Sequence, residues 1–413
     1  MTASSADIVI VGAGIIGANI AYQIARRSRL KVIVLDKGKG PGEGSTGASS
    51  AVCRFKYSHP ETVALALNGI SAYQNWSDYT GIAEPRASYH RHGMLWLACG
   101  AKVEAEAEAA RLRSLGVGID VLDDVDLAAR YPALSPCTLA PDLISAEPHK
   151  CVGGGTHLLE TEAGYVDPVD ALQDVLDAGR RLGVDIRFNS HVHGIDTNGG
   201  RVTAVRLGDG SSIRCGTLVN AAGAWCNELA AMAGLDLAWP LVPTRIQVAH
   251  IERPAEIVGD IPVTCDLPGG IYFRTQNRGQ QIIVGSILEE DEREAVRDPD
   301  DFAHYADDDF TQAKLYALEH RIPGLRLQGV RGYSGLYTVN RLDVHPVVGK
   351  TDVAGLYLAN GCSGHGFKLA PAIGAMLASQ VTGVSLRSDP PVDPGFLAYG
   401  RAPINLRSKS VLA

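Results

Sequence analysis

Three glycines and one acidic residue near the start of the 413-residue chain have the spacing of a dinucleotide site. Gly12, Gly14 and Gly17 form a GxGxxG motif, and Asp36 follows nineteen residues after its last glycine. The first glycine permits a tight turn, the second lets the backbone approach a pyrophosphate, and the third allows close packing of a helix on a strand. The carboxylate of Asp36 can hold ribose hydroxyls. The motif alone does not distinguish FAD from NAD.

The residues around this motif predict the βαβ unit that such a site requires. Residues 7–11 form a β-branched apolar run, typical of a buried strand, and residues 31–35 form a second such run. Between them, Ile16, Ile20 and Ile24 recur at helical spacing. The N-terminus of this helix would offer N–H groups and the positive end of its dipole to the phosphates.

Similar strand–glycine–helix units recur in the middle and at the end of the chain. Predicted strands at 217–220 and 355–359 lead into glycine-containing turns, and a helix is expected at about 369–382. Segments with antiparallel-looking strands separate these units. We therefore expect one discontinuous nucleotide-binding domain (1–85, 150–235 and 331–390), a substrate domain (86–149 and 236–330) and a C-terminal tail (391–413).

Composition and charge exclude several classes of protein. The net charge of −8 argues against a nucleic-acid partner, which would require clustered Lys and Arg. No run approaches the ~20 apolar residues of a membrane span, and no secretory signal is recognised, so we predict a cytoplasmic location. The eight cysteines show no CxxC spacing, the histidine pairs at 90/92 and 191/193 have no ligand partners nearby in sequence, and we predict no metal site. The acidic run 289–294 is interpreted as a solvated face.

The glycine-containing blocks together resemble the FAD-dependent D-amino acid oxidase superfamily, and within it the sarcosine and glycine oxidase-like branch. The resemblance covers nearly the whole chain and rests on residues 12–17, 44–50, 164–168, 219–225, 343–349 and 361–368. It implies an α/β fold (α+β overall), with a Rossmann-like FAD-binding domain that is discontinuous in sequence and a second, antiparallel-sheet substrate domain.

The resemblance also implies which residues hold the cofactor. Covalently flavinylated relatives carry a Cys near 337–338 or a His in the 45–50 loop, and this chain has neither, so we expect non-covalent FAD. The expected FAD-binding residues are Gly12, Gly14, Ile15, Ile16, Gly17, Asp36, Lys37, Ser45, Thr46, Ala48, Ser49, Ser50, Ala222, Gly223, Trp225, Gly335, Gly361, Gly364, His365, Gly366, Phe367 and Lys368.

The reaction implied by the resemblance is oxidation of the C–N bond of an amino acid or an N-methyl or secondary amino acid. Arg54 and Lys368 match positions where relatives place basic residues, and they could clamp a substrate carboxylate. The helix after Gly366, with Lys368, would stabilise negative charge on the reduced flavin. The other candidate catalytic residues are His365, Tyr272, Arg274 and Tyr337.

The electron acceptor and the substrate class stay open in the sequence. The strand near Gly285 lacks the oxygen-activating Lys of monomeric sarcosine oxidases, so the acceptor is oxygen or another molecule. The alternatives are an FAD-dependent 2-hydroxy acid dehydrogenase and a non-catalytic, FAD-stabilised assembly protein. An NAD-only dehydrogenase is the least favoured interpretation.

Overall fold

The computed structural model describes residues 4–145, 147, 149–255, 257, 259–406 and 412. Its helices are α1 (Ile15–Arg27), α2 (Pro60–Gln74), α3 (Trp76–Thr80), α4 (Lys102–Ser114), α5 (Asp124–Arg130), α6 (Pro168–Arg181), α7 (Cys226–Met232), α8 (Asp308–Arg321) and α9 (Gly366–Thr382). Within these residues, no helix combines the length and the apolar character needed to cross a membrane.

The strands form two large and two small sheets. They are β1 (Ser4–Ser5), β2 (Ile8–Val11), β3 (Val32–Leu35), β4 (Val52–Cys53), β5 (Met94–Leu97), β6 (Ile119–Leu122), β7 (His157–Glu160), β8 (Gly164–Tyr165), β9 (Asp185–Arg187), β10 (Val192–Asn198), β11 (Arg201–Leu207), β12 (Ser212–Arg214), β13 (Thr217–Asn220), β14 (Leu241–Glu252), β15 (Val263–Asp266), β16 (Ile271–Gln276), β17 (Gln281–Ser286), β18 (Arg331–Asn340), β19 (Val347–Lys350) and β20 (Leu356–Asn360).

The six-stranded sheet has the order β19-β20-β13-β2-β3-β9, in which only the pairing of β19 with β20 is antiparallel. Its central strands are apolar and buried on both faces, as expected for a parallel sheet covered by helices. Helix α1 packs against α9 and α6. Because the central strands are parallel, the segments that follow β2, β3, β13 and β20 meet at one edge of the sheet.

The eight-stranded sheet has the order β18-β14-β17-β16-β15-β5-β7-β6 and is antiparallel except between β15 and β5. One face carries a core in which Phe273, Ile282 and Val284 pack with Leu315 and Leu318 of α8. The small sheets are β1-β12-β11-β10 and the pair β4-β8. Strand β4 precedes Arg54, and its pairing with β8 joins this segment to Gly164–Tyr165.

The mixed α/β architecture confirms the predicted fold class. Strands β7 and β18 pair within the larger sheet, although their residues fall in segments that the sequence assigned to the FAD-binding domain. We propose the same two-domain division with these strands moved to the substrate domain. The 15-residue helix α2 was not predicted, although its buried residues Val63, Ala66, Ile70 and Tyr73 follow a helical spacing.

Candidate functional site

A groove of about 460 Å³ runs along the edge where β2, β3, β13 and β20 end. Most of the residues predicted to bind the cofactor line it. They are Gly12, Gly14, Ile15, Ile16, Asp36, Lys37, Ser45, Thr46, Ala48, Ser49, Ala222, Gly223, Trp225, Gly335, Gly361, Gly364, Gly366 and Phe367. The exceptions are Gly17, Ser50, His365 and Lys368.

The turn between β2 and α1 requires its glycines. Gly12 has a φ of 107°, and a Cβ at this position would lie 2.2 Å from the carbonyl oxygen of Ala221. A Cβ on Gly17 would lie 1.9 Å from the carbonyl oxygen of Gly12. Gly17 therefore acts by close packing of α1 on the turn, as its place in the motif predicts, and does not itself face the groove.

The start of α1 is fixed from a second loop. The Thr46 hydroxyl accepts a hydrogen bond of 3.0 Å from the backbone N–H of Ile15. A Cβ on Gly14 would lie 3.2 Å from the same hydroxyl oxygen. The small-residue loop that follows β3 thus lies against the helix N-terminus, where an anionic group would be stabilised.

Asp36 organises the end of β3. Its carboxylate accepts hydrogen bonds from the backbone N–H groups of Ala13, at 2.7 Å, and Gly38, at 2.8 Å. Each oxygen accepts one of these bonds, which leaves lone pairs for ribose hydroxyl donors. The structure therefore places this carboxylate beside the glycine turn, as the motif predicted.

A cation, an indole and a carboxylate meet at the same end of the groove. The Lys37 Nζ atom lies 4.1 Å from the ring centroid of Trp225 and forms an ion pair with Asp300. The indole N–H of Trp225 donates to Asp300 at 3.1 Å. Asp300 was not predicted, because it lies in an irregular, Asp-rich segment far from every motif.

The other end of the groove is built by the turn between β20 and α9. Gly361 and Gly364 have φ values of 72° and 83°, and Ser363 also has a positive φ. The Ser363 hydroxyl accepts from the backbone N–H of Asn340 at 2.9 Å, which ties the turn to β18. Helix α9 begins at Gly366, three residues before its predicted start, so its N-terminal dipole lies directly at the groove.

A second, smaller cavity of about 60 Å³ adjoins this end of the groove; we call it the side pocket. Residues Ser49, Tyr337, Gly364 and Phe367 line both spaces. The side pocket is further lined by residues from separate parts of the chain, including Ser50, Arg54, Met94, Ile246, Gln247, Cys265, Tyr272, Asp291, Glu292, Phe310, Lys368 and Leu412.

Arg54 brings a buried cation to this pocket, with only 3% of its surface exposed. Its guanidinium carbon lies 4.0 Å from the ring centroid of Tyr57 and 5.6 Å from that of Trp96, and the group donates to the carbonyl of Lys56. Behind these rings, the buried Glu160 accepts from the Trp96 indole at 2.7 Å. Burial raises the pKa of Glu160, while the charge of Arg54 opposes that rise.

Lys368 supplies a second buried cation from the first turn of α9. Its Nζ atom donates to the carbonyl of Gly364 at 3.3 Å, and 5% of the residue is exposed. Burial, reinforced by the nearby charge of Arg54, lowers the pKa of Lys368 to about 7. A negatively charged ligand in the pocket would favour the ammonium form and raise this pKa.

The remaining predicted catalytic residues divide into two groups. Tyr272 and Tyr337 line the side pocket. Arg274 lines neither space: it donates to the carbonyl of Ser50 at 2.7 Å, and its guanidinium carbon lies 4.3 Å from the ring centroid of Tyr165. Its place is therefore that of a positioning residue for the loop that carries Ser50.

His365 lines neither space, although its neighbours Gly364 and Gly366 line the groove. It is fully buried, and its ring centroid is 5.4 Å from that of Tyr57 in an edge-on arrangement. As the residue before α9, it contributes its backbone to the turn. This placement gives no support to the prediction that its side chain is catalytic.

Sequence reasoning missed the acidic side of the pocket. Glu292, which the acidic run was predicted to expose, is only 7% exposed and lines the side pocket. Its negative charge raises the pKa of both Tyr272 and Tyr337, although burial is the larger cause. The run 289–294, with five acidic residues among six, has no periodicity from which a buried member could have been identified.

Comparison with known proteins identifies the family. The family model described as FAD dependent oxidoreductase (DAO) matches residues 7–380. The chain is 28% identical to "FAD-dependent oxidoreductase domain-containing protein 1" of Xenopus laevis, covering 97% of this chain and 82% of the relative. It is 27% identical to "Sarcosine oxidase subunit beta" of Rhodobacter capsulatus, covering 91% and 84% respectively.

A solved structure shares the fold over nearly the full length. L-proline dehydrogenase from P. horikoshii superimposes with a TM-score of 0.78 at 23% identity, covering 95% of this chain and 97% of the dehydrogenase chain. These comparisons confirm the resemblance and the cofactor that the sequence predicted. The chain belongs to the DAO family and is an FAD-dependent oxidoreductase.

Proposed function

We propose that the protein oxidises the C–N bond of a small amino acid or an N-methyl or secondary amino acid. One observation carries this proposal: the buried cations Arg54 and Lys368 line a single small pocket that adjoins the α9 end of the groove. Arginine and lysine side chains bind carboxylates through charge-assisted hydrogen bonds, so the pocket is suited to a carboxylate.

Three features of the groove match the pyrophosphate and the ribose of FAD. The turn at Gly12 has no space for a Cβ, α1 presents its N-terminus to the groove, and the Asp36 carboxylate retains acceptor capacity. These features suit a pyrophosphate and a ribose. The residues predicted for the ADP portion lie at the Asp36 end, which leaves the α9 end for the flavin. The chemistry that bound FAD supplies is acceptance of a hydride.

The side pocket offers a separate place for each charged part of an amino acid. The planar guanidinium of Arg54 can bind a carboxylate through two parallel hydrogen bonds, and the ammonium of Lys368 adds a point charge. Glu292 contributes the opposite charge to the same pocket, which suits a substrate that also carries nitrogen. A 2-hydroxy acid would use the cations but carries no nitrogen that could contact Glu292.

In the proposed reaction the substrate carbon loses a hydride and its nitrogen loses a proton, which gives an imine that water hydrolyses to a carbonyl and an amine. The substrate nitrogen must be neutral when the hydride leaves, because a protonated amine has no lone pair to form the C=N bond. With FAD bound, the N-terminus of α9 and Lys368 would stabilise the negative charge that hydride acceptance creates.

The small volume of the side pocket limits the size of the substrate. A pocket of about 60 Å³ has room for only a few water molecules, since a cavity for one water needs at least roughly 10–15 Å³. Met94, Ile246 and Phe310 provide apolar walls that exclude water from the reacting carbon. We therefore favour substrates of the size of glycine, sarcosine or proline.

The space around Gly285 bears on the electron acceptor. A Cβ on Gly285 would lie 2.5 Å from the ring of Tyr272, so this part of β17 has no space for the lysine found in monomeric sarcosine oxidases.

One experiment tests the electron acceptor together with the substrate. The holoenzyme is first mixed without oxygen with sarcosine, glycine, proline and alanine, and separately with lactate and glycolate. We expect at least one amino acid to bleach the flavin, and oxygen and an artificial acceptor are then compared in turnover.

The outcomes separate the competing functions. Bleaching by the hydroxy acids alone would replace the proposal with 2-hydroxy acid dehydrogenation. Equal bleaching by methylamine, which lacks a carboxylate, would contradict the role of the two cations. A folded, FAD-loaded protein that no member of the panel bleaches would favour the non-catalytic assembly protein.

A further inference from the structure

A cluster of cysteine and histidine side chains lies outside both the groove and the side pocket. One ligand atom from each of Cys137, His149 and His320 lies within 4.8 Å of the other two. The Cys137 Sγ and His149 Nε2 atoms are 3.3 Å apart, and the ring centroids of the two histidines are 4.6 Å apart. A tetrahedral zinc ion with bonds of about 2.0–2.3 Å holds its ligand atoms about 3.5 Å apart.

Two further observations point to a ligand at this cluster. The His320 Nε2 atom is buried and makes no hydrogen bond within the described part of the chain. A buried imidazole nitrogen without a partner is unfavourable, and a metal ion would satisfy it. In addition, the Cys151 thiol interacts with the Cys137 thiol and lies 3.5 Å from the Ser135 hydroxyl, so a second sulfur lies next to the cysteine of the cluster.

The segment that carries three of these residues needs an anchor. Residues 131–156 connect α5 to β7, and none of the described ones lies in a helix or strand. Such a long irregular segment within a domain usually has a function or a crosslink. His320 lies instead in the last turn of α8, so a metal ion would join the segment to that helix.

The neighbouring contacts show that the anchoring point is rigid. Arg321, which is fully buried, donates to the carbonyls of Ser135 and Cys137 and forms a buried ion pair with Asp266 of β15 at 2.6 Å. The backbone of Cys137 is thus fixed to α8 and β15 beside His320. A site held on rigid elements is better able to impose the geometry that a metal requires.

We propose that Cys137, His149 and His320 bind one Zn²⁺ ion, that the neighbouring Cys151 side chain turns in as the fourth ligand, and that the ion fastens the segment carrying Cys137, His149 and Cys151 to α8. Two thiolates and two imidazoles form a closed tetrahedral set that selects zinc over the oxygen-preferring Mg²⁺ and Ca²⁺. With four protein ligands no position is left for substrate, so the role is structural. The sequence predicted no metal site because the ligands lack CxxC spacing and His320 lies on a distant helix.

The first test is metal analysis of the purified holoenzyme after dialysis against a weak chelator. We expect one zinc per chain, and X-ray absorption at the zinc edge should fit two sulfur ligands at about 2.3 Å and two nitrogen ligands at about 2.0 Å. A protein that neither contains nor takes up one equivalent of added zinc would overturn the proposal. One sulfur per zinc would overturn the assignment of Cys151, and a Cys137–Cys151 disulfide in the fresh protein would overturn the site.

Variants give the second test. Cys151 is exposed, so Cys151→Ser should fold, lose tight zinc binding and keep its FAD absorbance, whereas Cys151→His should keep one zinc with one sulfur ligand fewer. His320→Ala should also lose the metal. The control is His193→Ala. It removes an exposed histidine from the pair His191 and His193, which could bind zinc adventitiously, and the zinc content should stay at one ion per chain. Loss of zinc from the control, or retention in His320→Ala, would contradict the assignment.

Discussion

The groove and the side pocket lie next to each other but are built in opposite ways. The groove depends on backbone: glycines that leave no space for a Cβ, helix N-termini and a carboxylate bound to backbone N–H groups. The side pocket depends on buried charged side chains from distant parts of the chain, among them Arg54, Glu292 and Lys368. We propose that the groove recognises the cofactor by its shape, whereas the side pocket recognises the substrate by its charge.

The groove and the side pocket differ in the electrostatic cost that each adds to folding. A glycine turn adds no electrostatic penalty, so the groove is compatible with a stable empty protein. The side pocket removes charges from water, and the lowered pKa of Lys368 is a direct sign of that penalty. Changes to the groove should therefore affect FAD retention, and changes to the pocket should affect catalysis and stability while FAD stays bound.

The largest effect is expected at Gly12. Gly12→Ala places a Cβ against the Ala221 carbonyl in a backbone conformation that alanine rarely adopts, so we expect purified protein without FAD. The absorbance ratio of flavin to protein measures this. Gly40→Ala is the matched control: Gly40 also lines the groove, but nothing lies within 4 Å of a Cβ there. Equal FAD content in both variants would refute the role given to the turn.

The second-largest effect is expected for Arg54→Met, on kcat/KM. Removing one partner of a buried charged contact costs about 2–5 kcal/mol, or roughly 30- to 5,000-fold in kcat/KM for a carboxylate-bearing substrate. FAD content should not change. Lys56→Met is the control, since Lys56 carries a nearby positive charge but does not line the pocket, and it should retain nearly full activity. If activity were lost because the FAD content fell, Arg54 would act in binding FAD and not in binding the substrate.

An intermediate effect is expected in the pH dependence of carboxylate binding. Because the pKa of Lys368 is about 7, the residue is cationic below that pH and neutral above it. Acetate lacks an amine, so its dissociation constant should rise by up to ~10-fold per pH unit above about pH 7 as the attraction is lost. Lys368→Met should bind acetate weakly at every pH. A parallel pH dependence in wild type and variant would assign the titration to another group.

The smallest effect is expected on the stability of the FAD-free protein. The pKa of Lys368 is lower in the folded state than in the unfolded state, so the unfolded chain binds more protons between about pH 7 and 10.5. Wild-type stability should therefore gain from this residue as pH rises through that window. Lys368→Met should melt at a higher temperature than wild type at pH 7, and the gap should narrow towards pH 10. A gap independent of pH would mean that packing, not charge, causes it.

The same contrast explains what the sequence could predict. The strand, glycines, helix and acid of the groove are contiguous between residues 7 and 36, so local pattern was sufficient. Arg54 and Lys368 were reached only through resemblance to relatives. Glu292 was missed because it is buried within a run whose sequence is typical of a solvated face. The cluster of Cys137, His149 and His320 was missed because His320 lies on a helix far from the other two in the sequence.

The order of strands in the six-stranded sheet has a consequence for synthesis of the protein. Strand β2, the first strand of the nucleotide sheet to leave the ribosome, lies beside β13, which in turn pairs with β20 near the end of the chain. The turn from Gly361 to Gly366 emerges later still. The sheet beside the first βαβ unit is therefore completed only late in translation, and if FAD occupies the whole groove, as we propose, only a nearly finished polypeptide can bind it in full. A chain truncated before β20 would carry an intact GxGxxG motif but would lack the turn where we propose that the flavin binds.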